Sequence, residues 1–395
     1  MPKYTGIDCS TARPVRVCIT ADGGATVDEL PPDEARDSAL PFICPGFFDI
    51  QINGYDGIDY SGADFAAGGP AAVADRMTTL VRAVARSGTT RHLATIITNG
   101  TERIAANCAA VAAAVRADPV LAEAVVGIHV EGPFISSLDG PRGAHEPAHV
   151  RDPDWDEFRR WQDAAEGLIR VVTLAPERDG ALDLIERLTD AGVVAAIGHT
   201  AAGPQQIRDA VAAGARLSTH LGNGSHAVLP RLKNYIWEQL GVDGLSASII
   251  ADGFHLPASV VRTMARAKGL ERLVLISDAA HLAGAAPGIR RWGETVVEVH
   301  ADGHLGVAGT EFLAGAGHLL DHDIAFFCAA TGVPIGETVD LCLRNPMRLL
   351  GLPTSMASLA TGAPSTLTVF RFRPGDERLR IEACVIAGEE QYRAA

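Results

Sequence analysis

Val125-Val126-Gly127-Ile128-His129-Val130 is a short, near-continuously apolar run that passes directly into Glu131. It is too short for a buried helix, and β-branched residues in such a run suit a strand covered on both faces. Comparable runs lie at 46–52, 90–97, 168–174, 193–198, 216–219, 246–251 and 273–277. Ala-rich amphipathic stretches between and after them predict helices at 70–87, 101–117, 181–191, 204–213, 257–267 and 312–330. Pro204 and Pro257 stand where two of these helices open, at positions that need no N–H donor. Eight strands with helical crossovers predict an α/β fold, a (β/α)8 TIM-like barrel. A doubly wound open sheet would give the same alternation. Its common dinucleotide fingerprint, G-x-G-x-x-G, is missing, and Gly54 and Gly57 stand alone.

The two ends of the chain have a different period. Residues 13–20, 365–372 and 379–387 alternate apolar and polar, as half-buried strands do. Turn-rich pieces such as Ala21-Asp22-Gly23-Gly24 and Pro374-Gly375-Asp376 separate them. We read a small β-sandwich domain built from 1–44 and 352–395, with the barrel occupying 45–351. A helix over 336–351 is expected to return the chain to the small domain.

Composition narrows the function. The 395 residues carry 34 Lys+Arg against 48 Asp+Glu, a net charge of −14. With no basic run, nucleic acid is excluded as a partner, while a small anionic substrate needs only one local Arg or His pocket. The seven cysteines form no C-x-x-C pair and are odd in number, which suits reduced structural thiols. The N-terminus lacks a basic segment followed by an apolar one, and the Ala/Val-rich run 109–115 is too short to span a bilayer. A cytoplasmic protein without membrane contact is expected.

In a barrel the chemistry sits at the C-terminal strand ends. Here those ends carry Asp49, Gln51 and Asn53, then His129 and Glu131, His199, His220, Asp252 and His255, and Asp278. A lone strand-end His is ordinarily a structural hydrogen bonder, but several converging on one rim point to a site. Glu131, His199 and His220 supply one carboxylate and two imidazoles, the ligand set of a catalytic metal with an open position. One divalent ion is expected, Zn2+ first, with Fe2+, Co2+ and Mn2+ also suited to these donors. Such an ion activates water and polarises a carbonyl oxygen. Asp278 then suits a general base that takes the water's proton and passes it to a leaving amine. Its alternative role, within Ser277-Asp278-Ala279, is a helix N-cap.

These residues also carry a resemblance. Pro45-Gly46-Phe47-Phe48-Asp49-Ile50-Gln51-Ile52-Asn53-Gly54 resembles the first-strand motif of the amidohydrolase superfamily. His129-Val130-Glu131-Gly132-Pro133-Phe134, Gly198-His199-Thr200 and Thr219-His220-Leu221-Gly222-Asn223 resemble motifs of the N-acetylglucosamine-6-phosphate deacetylase family. So do Ile250-Ala251-Asp252-Gly253-Phe254-His255 and Ser277-Asp278-Ala279. The likeness runs from about 43 to 372. It implies metal-dependent hydrolysis of N-acetylglucosamine 6-phosphate to glucosamine 6-phosphate and acetate. It also implies Glu131, His199 and His220 as metal ligands, Asp278 as catalytic acid/base and His145 at the acetyl carbonyl. His255 would be a second substrate-contacting His, and Asn223 and the backbone at Gly224 would belong to the loop that meets the sugar phosphate. Family members are commonly dimers, so a homodimer is expected.

Two places qualify the transfer. Many superfamily members have H-x-H on the first strand and bind two metals. Here Gln51 and Asn53 stand there, neutral amides that ligate zinc poorly. They are expected to orient substrate or the metal ligands, or to hydrogen-bond within the barrel floor. The loop after His220 also departs from the family pattern. Arg231, eight residues after Asn223, stands about where a phosphate-binding Arg belongs, but its flanks differ and a solvated loop Arg is the other reading. His226 and Lys233 are extra basic groups without a family counterpart. The alternatives are an amidohydrolase acting on another amino sugar or a small N-acyl or cyclic amide, and a non-catalytic amidohydrolase-like scaffold.

Overall fold

The computed structural model describes residues 2–31, 33–34, 40–292, 295–310, 313–362 and 365–395. Its centre is an eight-stranded, wholly parallel sheet in sequential order. We label its strands β1 (Phe47–Ile52), β2 (Thr89–Ile97), β3 (Val125–Glu131), β4 (Ile169–Leu174), β5 (Val194–Ile197), β6 (Leu217–Ser218), β7 (Ser246–Ile249) and β8 (Leu273–Leu275). All eight apolar runs are strands. Every residue of β1 is buried, so its apolar run reflects cover on both faces.

The ends of the sheet meet and form a barrel. Ile52 bridges Ala279 in parallel, and the Asn53 N–H donates to the Ala279 carbonyl at 3.0 Å. The buried Asp49 carboxylate accepts the Ser277 N–H at 3.1 Å across the same seam. At the other end of the seam, the Phe48 N–H donates to the Cys342 carbonyl and the Leu275 N–H to the Leu341 carbonyl. Segment 341–342 therefore wedges between β1 and β8 and supplies the bonds that a direct ladder would.

That wedge corrects one expectation. The helix read over 336–351 is two short helices, Ile335–Asp340 and Arg344–Leu349, because the carbonyls between them serve the barrel. The helix read over 312–330 begins only at Leu320 and ends at Thr331, while residue 312 lies outside the described residues. Gly317 explains the late start. A Cβ there would stand 2.0 Å from the Gly303 carbonyl oxygen, so this stretch packs backbone to backbone against a turn. The turn belongs to an unforeseen three-stranded antiparallel sheet, Gly288–Trp292, Thr295–Val299 and Leu305–Val307, inserted after β8. Helices Pro119–Ala124, Trp155–Ala164 and Tyr235–Gly241 were also unforeseen. The second is so charged that only Phe158 and Trp161 mark its buried face.

Both termini form one seven-stranded sheet, antiparallel except where Lys3–Asp8 meets Phe42–Cys44. Val15, Val17 and Ile19 from its N-terminal half share one apolar cluster with Leu367, Val369 and Val385 from its C-terminal half. The sheet thus folds over onto itself as a β-sandwich. Among the described residues, no helix is long and apolar enough to cross a membrane.

Candidate active site

Side chains two apart on a strand share a face, which puts Asp49 with Gln51, and His129 with Glu131, inside the barrel. Asp49 and His129 belong to the floor. His129 bonds the Ile50 carbonyl at 3.2 Å and the Thr173 hydroxyl at 2.7 Å, so this strand-end imidazole is structural. Burial holds it down at about 4, and burial raises Asp49 to about 7.

Glu131, His199 and His220 converge above this floor. The His220 Nε2 lies 3.0 Å from Glu131 Oε1 and 3.0 Å from His199 Nε2, and the His199 Nε2 to Glu131 Oε1 distance is 3.4 Å. All three residues are buried. Only a proton or a cation can sit among three such atoms. A tetrahedral ion with bonds near 2.0–2.1 Å needs ligand separations of about 3.3 Å, so the donor set fits a metal ion. The backbone aims these groups. His199 and His220 follow β5 and β6 with φ of 49° and 31°, the left-handed region that non-glycine residues rarely adopt. The His199 Nδ1 donates to the Pro141 carbonyl at 2.8 Å, which leaves the Nε2 lone pair facing inward. Gly224 presses on the same ring: its Cβ would stand 2.7 Å from His199 Nδ1.

Asp278 follows β8, also left-handed at φ 52°. Its Oδ1 accepts the Gln51 amide at 2.9 Å and the Asn53 amide at 2.8 Å. The Gln51 amide also donates to Glu131 Oε1 at 3.0 Å. The two amides therefore orient carboxylates, one of them a metal-site member. Loss of solvation, and then the Glu131 charge, raise Asp278 to about 6. Glu131 itself is driven up by burial, but the His199 and His220 bonds outweigh this and hold it well below its ordinary range.

His145 lies beside the cluster, its Nε2 3.1 Å from His199 Nε2 and its Nδ1 2.7 Å from the Thr98 hydroxyl. Burial, then the His199 charge, lower it to about 3, so it is neutral at pH 7. With the Thr98 hydroxyl giving its proton to Nδ1 at 2.7 Å, rather than to the more distant Glu131 carbonyl at 3.5 Å, the neutral His145 ring carries its N–H on Nε2, toward the site. Thr98 gave no signal in the sequence, since its role exists only through this contact. His255 Nδ1 bonds the Asp252 carboxylate at 2.7 Å, which also accepts the Phe254 and His255 N–H groups.

Glu131, His199, His220, Asp278, His145 and His255 line one cavity of about 440 Å3 together with Asn53, Asn223, Gly224, Ser225 and His226. Trp292 and Leu313 close part of its wall, the first from the inserted sheet and the second beside it. Their position was not legible without that sheet. Arg231 is not brought to the cavity within the chain. It is exposed on the loop before Tyr235–Gly241, and its carbonyl accepts the Trp237 indole N–H at 3.3 Å.

The amidohydrolase family model matches residues 42–390. The chain belongs to the amidohydrolase family. Human N-acetylglucosamine-6-phosphate deacetylase (Homo sapiens) is 33% identical to this amidohydrolase over 377 residues, 92% of the chain and 86% of the relative. N-acetylgalactosamine-6-phosphate deacetylase from Shewanella sp. is 30% identical over 365 residues, 89% of the chain and 84% of the relative. In three dimensions the chain matches a mutant N-acetyl-D-glucosamine-6-phosphate deacetylase from Mycobacterium smegmatis in complex with N-acetyl-D-glucosamine-6-phosphate. The TM-score is 0.84 at 33% identity, covering 98% of both chains. The motif resemblance thus extends to sequence and fold along nearly the whole chain.

Proposed function

We propose that this amidohydrolase is a metal-dependent deacetylase that hydrolyses the N-acetyl group of N-acetylglucosamine 6-phosphate to glucosamine 6-phosphate and acetate. The observation that carries the reading is the Glu131–His199–His220 cluster beside Asp278 in one cavity, in a chain whose relatives are amino-sugar phosphate deacetylases. Glu131, His199 and His220 would hold one divalent ion, Zn2+ before Fe2+, Co2+ or Mn2+. When bound, the ion supplies Lewis acidity toward a carbonyl oxygen and water.

The chain's own groups account for the rest. Asp278 takes a proton from the attacking water at Oδ2 while Gln51 and Asn53 hold its Oδ1. It then passes that proton to the departing amine nitrogen. The His145 N–H, set by Thr98, donates to the acetyl oxygen as charge develops there. His255, Asn223 and Gly224 bind the sugar end. Trp292 and Leu313 exclude water from the cavity wall. The domain division at 1–44 with 352–395 and 45–351 belongs to the same reading. The strands of the terminal sheet lie in the first two segments and those of the barrel in the third. So do a homodimer and a cytoplasmic setting, the latter supported by seven free cysteines.

The test is acetate release from N-acetylglucosamine 6-phosphate, N-acetylgalactosamine 6-phosphate and free N-acetylglucosamine, with zinc-loaded and chelated protein. Zinc-dependent turnover, fastest on the first substrate, supports the reading. Preference for the galacto sugar or for an unphosphorylated amide overturns the substrate assignment. No bound metal, and no rescue by added zinc, would leave a scaffold.

A further inference from the structure

An amino-sugar phosphate brings a phosphate group into the cavity, and the cavity's own cations are few. Among the described residues lining it there is no Lys or Arg. Arg142 is near but committed, its guanidinium donating to the His145 carbonyl and paired with Asp139. Of the five lining imidazoles, His199 and His220 belong to the metal cluster. His145 is held by Thr98, and His255 by Asp252. His226 is left over.

Its orientation is built. The buried Tyr235 hydroxyl accepts the His226 backbone N–H at 2.8 Å and lies 3.0 Å from the His226 Nδ1. The hydroxyl still has its own proton to give, and Nδ1 is within its reach. In that arrangement the neutral ring carries its proton on Nε2, which has no partner among the described residues. Two residues back along the loop, Gly224 rests against His199, so the loop that carries His226 is anchored on the metal cluster.

We propose that His226, aimed by Tyr235, is the side chain of this chain that recognises the substrate's phosphate, through its Nε2–H. The inference rests on the deacetylase reading above and adds a specificity-determining residue to it.

The experiment compares kcat/KM for N-acetylglucosamine 6-phosphate with that for free N-acetylglucosamine, using the zinc-loaded full-length protein. His226→Ala lowers this ratio by about tenfold or more, as loss of one charge-assisted hydrogen bond requires, and the loss appears in KM for the phosphorylated sugar. The inhibition constant of inorganic phosphate rises in parallel. His226→Gln, which keeps an N–H donor, recovers part of the ratio, and Tyr235→Phe, which frees the ring, loses part of it. These two variants carry the test should the alanine variant misfold. A ratio within threefold of wild type in His226→Ala or Tyr235→Phe, with phosphate inhibition intact, overturns the proposal alone. A wild-type enzyme without preference for the phosphorylated sugar overturns the deacetylase reading and this inference together.

Discussion

Replacing Asp278 with Asn removes a charge and a proton carrier while leaving the local structure in place. The Asn carbonyl oxygen can accept the same two amides, Gln51 at 2.9 Å and Asn53 at 2.8 Å. Asn is also among the few residues that tolerate the left-handed backbone found here at φ 52°. Folding and metal binding should therefore survive, since Asp278 lies outside the metal cluster. What is lost is proton transfer, worth about 100- to 10,000-fold in rate. At about 1.36 kcal/mol per decade this is about 2.7–5.5 kcal/mol of barrier. The assay is acetate release at saturating N-acetylglucosamine 6-phosphate, with elemental analysis of metal content on the same sample. A variant that keeps its metal and turns over within about threefold of wild type would refute Asp278 as the proton carrier. Parallel loss of metal and turnover would show instead that its charge holds the ion.

Gln51→Leu removes the amide that donates to both Glu131 and Asp278. It should weaken metal binding by about 10- to 100-fold, measured by competition with a chelator, and unchanged affinity would count against this orienting role. Gly224→Ala forces a Cβ to within 2.7 Å of His199 Nδ1 at a positive φ. A destabilisation of at least about 1–2 kcal/mol and reduced metal content are expected in denaturation and metal analysis, and full retention of both would contradict the packing. Asp321 is raised from 3.8 to about 7, chiefly by burial and despite Arg378. Its folded pKa lies above the unfolded one, so its contribution is fully present below about pH 4 and lost as pH rises through about 7. Asp321→Asn should therefore gain on wild type across that window, by at most about 1.4 kcal/mol per pH unit in urea unfolding, and a pH-independent difference would refute the buried ionisation.

How much was legible depended on distance along the chain. The eight barrel strands were readable because burial on both faces writes itself as a local apolar run. The inserted sheet was missed because a small sheet on the protein surface needs no such run: its first strand, Gly288–Trp292, is exposed or only partly buried along its length. The helix read over 336–351 broke because residues 341 and 342 give their carbonyls to β1 and β8, an obligation invisible in their own side chains. At the site, Glu131, His199, His220 and Asp278 stood out because strand ends rich in ligating groups are uncommon. Thr98 and Tyr235 did not, because each acts only through a ring brought to it by the fold.

The sequence by itself determined where the barrel's strands lie along the chain and the identity of its donors, because strand period and side-chain chemistry are local properties. The tertiary structure alone decided which donors share a point. Glu131 and His220 are 89 residues apart, yet their ligand atoms lie 3.0 Å apart. It also decided which group lies against each imidazole nitrogen. Those outcomes follow from the direction in which the backbone leaves each strand, which a row of residue names does not contain.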